Sequence, residues 1–290
     1  MVDKNLFLHD LAVVAILKFE GPYLKEWLDY HLLAGVNHFY LYDNESPDNQ
    51  AEVAKPYVEA GLVDYFPAPG KIMQAGAYND AVKNFKFQCQ HMAFIDGDEF
   101  IYPKMRREGG VSEVVSEILS HYPNASGLVI NWQMFGSNGQ EKADYSKGVL
   151  ERFTCRAPKD WTPPDGEKNS VIKTVTNPRR INFFSNAHYP VYFEGCCSVN
   201  ENGKIISHWY NDPVLEDTIV INHYHTKSRE EYEQKIARGR ADILQKRRNE
   251  FDHSDRNEEL DDGILRYRAE RAKTYRQPDM AQANERLLTR

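Results

Sequence analysis

The decapeptide FIDGDEFIYP, residues 94–103, sets Asp96, Asp98 and Glu99 between two apolar runs. Clustered carboxylates repel one another unless a positive charge sits among them. Two readings stand. Asp and Gly form turns readily, so Asp96-Gly97-Asp98 can be a solvated corner. Alternatively, two carboxylates one residue apart, where a strand breaks and glycine lets the backbone curve, can both face a Mg²⁺ or Mn²⁺ ion and leave coordination positions for phosphate oxygens. A second cluster, INHYHTKS at 221–228, puts His223 and His225 on one side of an extended segment. Imidazoles accompany carboxylates around Mn²⁺-like ions, although a half-buried histidine bonded to backbone has the same look. Lys227 just precedes a helix start at Ser228, and a cation beside a helix N-terminus suits a phosphate. In YDNESPD, residues 42–48, the Asp43 carboxylate could accept a bond from a base N–H or a ribose hydroxyl, or close an Asx-turn.

These clusters need a frame. LAVVAIL, residues 11–17, reads as a buried strand, and the following segment as a helix opened by Gly21-Pro22, with Leu24, Trp27, Leu28 and Leu32 on one face and Gly35 as its stop. HFYLYD is the next strand, so the unit is β–α–β. A helix over about 51–60, a strand at LVDYFPAP, a helix at QAGAYNDAVKNF and a strand at HMAFIDGDEF continue the alternation. Strands alternating with helices predict an α/β fold with a mostly parallel sheet covered on both faces. The polar clusters at 18–20, 43–46 and 96–99 each follow a strand's C-terminal end, the edge at which open α/β sheets bind ligands. Further on, a helix at VSEVVSEILSHY, a strand at SGLVINWQMFG and a long loop from Cys155 to Asn169 are followed by strands near 170–177, 188–193 and 218–226. Ser228 and Glu231 form a capping box for a charged amphipathic helix running through about Arg248, and a last helix lies within about 259–275. The frame divides into residues 1–227 and a C-terminal helical extension over 228–290, packed on or beside it.

A chain of 290 residues, 41% hydrophobic and 27% charged, has an ordinary globular composition. Its net charge of −7 argues against nucleic-acid binding by bulk electrostatics. An anionic substrate therefore needs a local device. The N-terminal apolar run is too short to span a bilayer and lacks the flanks of a signal peptide, so a cytoplasmic location is expected. Cysteines 89, 155, 196 and 197 have no CxxC spacing, and free thiols are expected.

Taken together, LKFEGPYLKEWLDYHLLAGVNHFYLYDNESPDN, AFIDGDEFIYP, NWQMFGSNG and INHYHTKSREEYEQKIARGRAD resemble, in order and spacing, the nucleotide-sugar glycosyltransferases of family 92 and related family-2-type domains. The resemblance covers about residues 10–245. It implies a GT-A fold, a Rossmann-like α/β/α sandwich with one nucleotide-sugar site and an adjoining acceptor region. It further implies that Asp96 and Asp98 are the DxD that holds Mn²⁺, or Mg²⁺, against the donor diphosphate, with His223 as third protein ligand and Asp43, Lys18 and Glu20 near the uracil or ribose. The usual K-N-E at 18–20 is K-F-E here, which puts a nucleotide role for Phe19 in doubt.

Expelling a diphosphate from an acidic protein calls for positive charge where the leaving group forms, and a metal supplies it. An acceptor hydroxyl needs a base, ordinarily a carboxylate in inverting enzymes. Glu151 and Asp160, which follow the NWQMFG strand, are the base candidates, each also readable as a surface or ion-pairing residue; Glu99 is a further one, more readily a brace for the metal loop. Trp132 and His188 could line the sugar site or serve the core. The expectation is a metal-dependent, inverting hexosyltransferase that moves a hexose, galactose foremost, from a UDP-sugar to a saccharide acceptor in surface-glycan or polysaccharide synthesis. A membrane-proximal acceptor and a homodimer stay open. Two rivals remain: a nucleotidyl- or phosphotransferase, for which neither GxGxxG nor GxxxxGK[ST] is present, and a binding module that kept the fold without the chemistry.

Overall fold

The computed structural model describes residues 6–161, 168–239, 241 and 251–275. Its first half follows the alternation read from the sequence: β1 (His9–Leu17), α1 (Gly21–Leu33), β2 (His38–Asp43), α2 (Gln50–Glu59), β3 (Val63–Pro67), α3 (Gln74–Phe85) and β4 (Cys89–Phe94). The β4 strand ends before the acidic triplet, and Glu99–Pro103 form a separate strand, β5, so the expected single strand through HMAFIDGDEF is two. Then come α4 (Val111–Ser120), β6 (Ala125–Met134), the short α5 (Val149–Arg152) and β7 (Cys155–Arg156), and β8 (Ile172–Thr176). The hairpin of β9 (Ile181–Phe184) and β10 (Pro190–Tyr192) is followed by β11 (Cys197–Val199), β12 (Ile205–Ile206) and β13 (Ile219–His223). The C-terminal part holds α6 (Arg229–Arg238), α7 (Phe251–Ser254), β14 (Glu259–Leu260) and α8 (Gly263–Thr274).

The main sheet has the order β12-β11-β6-β8-β4-β1-β2-β3, with β13 beside the end of β6 and β5 beside β13. β3, β2, β1 and β4 run parallel to one another, as β11 and β13 do to β6. β8 runs antiparallel between β4 and β6. This is the mostly parallel α/β arrangement expected from the alternation of strands and helices. The layers can be read along β1. Leu11, Val13, Ala15 and Leu17 pack into one core with Leu24, Trp27 and Leu28 of α1, whereas Ala12, Val14 and Ile16 pack into another with Ala77, Tyr78 and Ala81 of α3. Continuous burial on both faces explains why this strand shows no alternation of polar residues.

The Ser228–Glu231 capping box forms as read, but α6 ends at Arg238 because Gly239 takes a φ of 83°. The helix expected through Arg248 is therefore shorter, and residues 240, 242–250 and 276–290 of the C-terminal extension lie outside the described residues. α8 packs against α1, with Tyr267 inside the larger core. All four cysteines are free. Among the described residues no helix is long and apolar enough to cross a membrane.

Candidate functional site

The C-terminal ends of β1 and β4, the ends of β6 and β13, and one side of α6 enclose a cleft lined by Lys18, Glu20, Asp96, Asp98, Trp132 and His223, with Asn44, Gln74, His188, Lys235 and Arg238 completing the walls. Gly97 makes the acidic turn fit: a Cβ there would stand 2.9 Å from both Glu20 Cγ and Leu17 Cδ2. Antiparallel pairing sets His223 opposite Glu99, and the Tyr224 N–H donates to the Asp98 carbonyl at 2.9 Å, drawing the H-Y-H segment against that turn.

Side-chain atoms of Asp98, His223 and His225, all three buried, come within 4.8 Å of one another. One carboxylate and two imidazoles are a donor set suited to a divalent ion of the Mn²⁺ kind. Lys235 reaches the same place from α6, its Nζ 2.6 Å from Asp98 Oδ2, 3.1 Å from His225 Nδ1 and 3.0 Å from the His225 carbonyl. Burial alone would raise the Asp98 carboxyl, but the Lys235 ammonium and then His223 outweigh it and hold the group well below the usual carboxylate range.

Asp96, expected in the same metal set, faces elsewhere. Its Oδ2 is 2.9 Å from the Nζ of Lys173, a buried lysine on β8, and its Oδ1 accepts from Gln74 Nε2 at 2.7 Å. Lys173 also lies 3.6 Å from Glu99. Complete burial pushes the Glu99 carboxyl well above its ordinary range despite Lys173, so the lysine's charge is matched chiefly by Asp96. Glu99 Oε2 accepts from the Asp96 N–H at 2.9 Å, which makes it a brace for the turn. Asp98 therefore stands with His223 and His225, while Asp96 stands with Lys173.

The remaining expected residues divide. Lys18, Glu20, Trp132 and His188 line the cleft. The Trp132 ring lies 4.3 Å from that of His223 and 5.3 Å from that of His188, and its buried Nε1–H has no acceptor among the described residues. Asp43 closes the Asx-turn instead, accepting from the Ser46 N–H at 2.8 Å and from Gln50 and Tyr65, while its neighbour Asn44 faces the cleft. Lys227 pairs with Glu20 at 3.3 Å and lies over the Tyr23 ring, away from the cleft wall. The two base candidates are not brought in: Glu151 pairs with Arg268 of α8 at 2.8 Å, and neither it nor Asp160 lines the cleft.

Lys235 and Arg238, which line the cleft along with Lys18, were not singled out in the sequence. Their signal was present, an i, i+3 pair on a helix whose start the capping box fixes. Arg238 bonds Glu20 at 2.9 Å and also the Lys18 carbonyl. Lys173 had a signal too, a single charge inside the apolar strand SVIKTVT.

The family model of glycosyltransferase family 92 matches residues 14–262. A glycosyltransferase family 92 protein of Oryza sativa subsp. japonica is 27% identical over 222 residues, 74% of this chain and 33% of that protein. The galactan beta-1,4-galactosyltransferase GALS2 of Arabidopsis thaliana is 24% identical over 216 residues, 71% of this chain and 40% of that one. The chain thus spans about a third of the length of the first relatives it matches. Among solved structures, Staphylococcus aureus TarS 1–349 aligns over 93% of this chain and 73% of its own, at 13% identity and a TM-score of 0.39.

Proposed function

Because the chain belongs to glycosyltransferase family 92, we propose that the cleft binds a UDP-sugar with a divalent ion, Mn²⁺ or Mg²⁺, and that the protein transfers a hexose to a saccharide acceptor with inversion at the anomeric carbon. The observation that carries the reading is the convergence of Asp98, His223 and His225 in the cleft region at the sheet's edge, with Lys235 bonded to Asp98 and Arg238 close by on α6. Galactose is the hexose favoured, since the Arabidopsis relative is named as a galactosyltransferase.

Asp98, His223 and His225 would hold the ion, which when bound neutralises the diphosphate as it leaves. Lys235 and Arg238 add two side-chain cations in a chain that is acidic overall, so charge developing on the diphosphate meets fixed donors. The Trp132 N–H, which has no acceptor among the described residues, would donate to a sugar hydroxyl. Asn44, Gln74 and Lys18 offer polar contacts to the nucleoside. Glu20 is tied to Arg238 and Lys227 and Asp96 to Lys173, so neither is placed to take the acceptor's proton, and we assign no base.

The test is a donor screen with Mn²⁺, scored by nucleotide release from UDP-, GDP- and CMP-sugars. Release from a UDP-hexose is expected. UDP binding without release from any donor would instead favour a binding module. Asp98→Ala is expected to abolish Mn²⁺-dependent thermal stabilisation by UDP, and unchanged stabilisation would sink the metal assignment.

A further inference from the structure

Beside the start of β8, three consecutive aromatic side chains stand in water. Trp209 and Tyr210 are 46% and 40% exposed, and His208 is exposed beside them. The His208 and Tyr210 rings stack at 4.0 Å and 13° from parallel, while Trp209 meets Tyr210 edge-on at 5.2 Å. Together the rings present a small apolar face to water.

The backbone beneath them is held rigidly. Asn211 is buried, donates from its N–H to the Ser170 carbonyl at 2.8 Å, and donates from Nδ2 to Asn131 Oδ1 at 2.7 Å. Asn131 Nδ2 returns a bond to the Asn211 carbonyl at 3.0 Å, and Asn200 Nδ2 donates to Asn211 Oδ1 at 3.0 Å. A buried amide network of this kind is stabilising only when its members are paired, and it fixes one geometry. Here it fixes an outward display of rings.

The display adjoins the transfer site. Asn131 precedes Trp132 on β6, so one strand supplies both the clamp and the cleft wall. Ile172 joins the two sides: its N–H donates to the Trp209 carbonyl at 3.2 Å, and its carbonyl lies 3.2 Å from Nδ1 of His188, which lines the cleft.

We propose that His208, Trp209 and Tyr210 are a stacking platform for the sugar rings of an extended saccharide acceptor, an inference that rests on the transferase reading above for the direction in which the chain runs. A pyranose has an apolar C–H face that an aromatic ring can cover while its hydroxyls stay in water. A protein partner fits less well. At their exposures Trp209 and Tyr210 offer roughly 200 Å² of aromatic surface, well short of the ~800 Å² per side that a stable protein interface buries.

The test compares the full chain with Trp209→Ala/Tyr210→Ala, using β-1,4-galactobiose and β-1,4-galactotetraose as acceptors and UDP-galactose as donor. The expected result is a KM for the tetraose at least tenfold higher in the variant, with galactobiose KM, acceptor-free donor hydrolysis and Tm unchanged. An unchanged tetraose KM overturns the platform. So does an unchanged KM accompanied by a shift from dimer to monomer in sedimentation, which makes the patch a self-association face. Saccharide binding is also read without turnover, by tryptophan fluorescence and an array of β-linked hexose oligosaccharides. If neither protein acts on any donor but binding is lost only in the variant, the transferase reading fails and the platform stands. Absence of saccharide binding by the unmodified chain overturns it.

Discussion

At the scale of single residues, the acidic triplet separates into three different jobs. Asp98 faces the imidazoles, Asp96 faces Lys173, and Glu99 supports the turn from beneath. Substitutions should separate them as well. His225→Ala is expected to weaken Mn²⁺ affinity at least tenfold, read by isothermal titration or by quenching of bound Mn²⁺ relaxation. Asp96→Asn should leave that affinity within twofold and instead lower stability by about 1–3 kcal/mol, because it leaves the buried Lys173 ammonium with a poorer partner. Equal loss of Mn²⁺ affinity in both variants would return Asp96 to the metal set. The D-x-D and the H-Y-H were legible in the sequence as residue types that suit a cation. Which carboxylate faces the imidazoles was not, because a buried lysine on β8, distant in sequence, claims one of them, and its place beside β4 depends on an antiparallel crossover that no local pattern announces.

At the scale of elements, two contacts govern behaviour. The first is α1 against β5, through His31. Its Nδ1 donates to the Trp27 carbonyl at 2.8 Å and its Nε2 lies 3.3 Å from the Ile101 N–H, so the pair of partners demands the neutral ring. Burial drives its pKa from 6.5 to about 3, and that of His91 to about 4. A folded pKa below the unfolded one means that the unfolded chain binds the extra proton. The stability from each neutral ring is present above about pH 6.5 and lost as pH falls towards the folded value, by roughly 1.4 kcal/mol per pH unit per ring. Urea unfolding between pH 7 and 5 should show this fall, and His91→Gln should remove its share of the slope.

The second contact is α6 against the acidic turn. With Lys235 and Arg238 in place the cleft holds about 110 Å³, below the ~300–1,000 Å³ typical of small-molecule pockets. An ion held by Asp98 would compete with the Lys235 ammonium for that carboxylate. Lys235→Ala is expected to tighten Mn²⁺ binding in the absence of nucleotide by threefold or more while weakening UDP binding in its presence. Weaker Mn²⁺ binding in that variant would argue against competition for one position. The start of α6 could be read from its capping box, but its end at Gly239 and its fold-back onto β13 could not, since glycine stops a helix only where the tertiary path lets it turn.

At the scale of the whole molecule, the cleft is walled by residues from Ile16 to Ala241, contributed by the ends of strands that are far apart in the chain. The general rule for α/β sheets made that convergence legible from sequence at the level of an edge. The mixed right half, where β8 passes antiparallel between β4 and β6 and β13 bridges to β5, was not, because short strands leave no periodicity long enough to order them. A site assembled from so much of the chain couples ligand binding to the global fold rather than to a loop. A ligand bound only by the folded state stabilises it by RT ln(1 + [L]/Kd), about 2.7 kcal/mol at a hundredfold excess. For a chain of this size that amounts to a Tm rise of roughly 5 °C. With Mn²⁺ held saturating, UDP at a hundred times its Kd should add such a rise to that from Mn²⁺ alone, in one cooperative transition, and a chelator should reverse it. Hydrogen exchange gives the sharper reading. Protection should extend to the ends of β1, β4 and β13 together with α6; slowing restricted to residues 228–239 would show that the ligand orders one helix and leaves the sheet edge as it was.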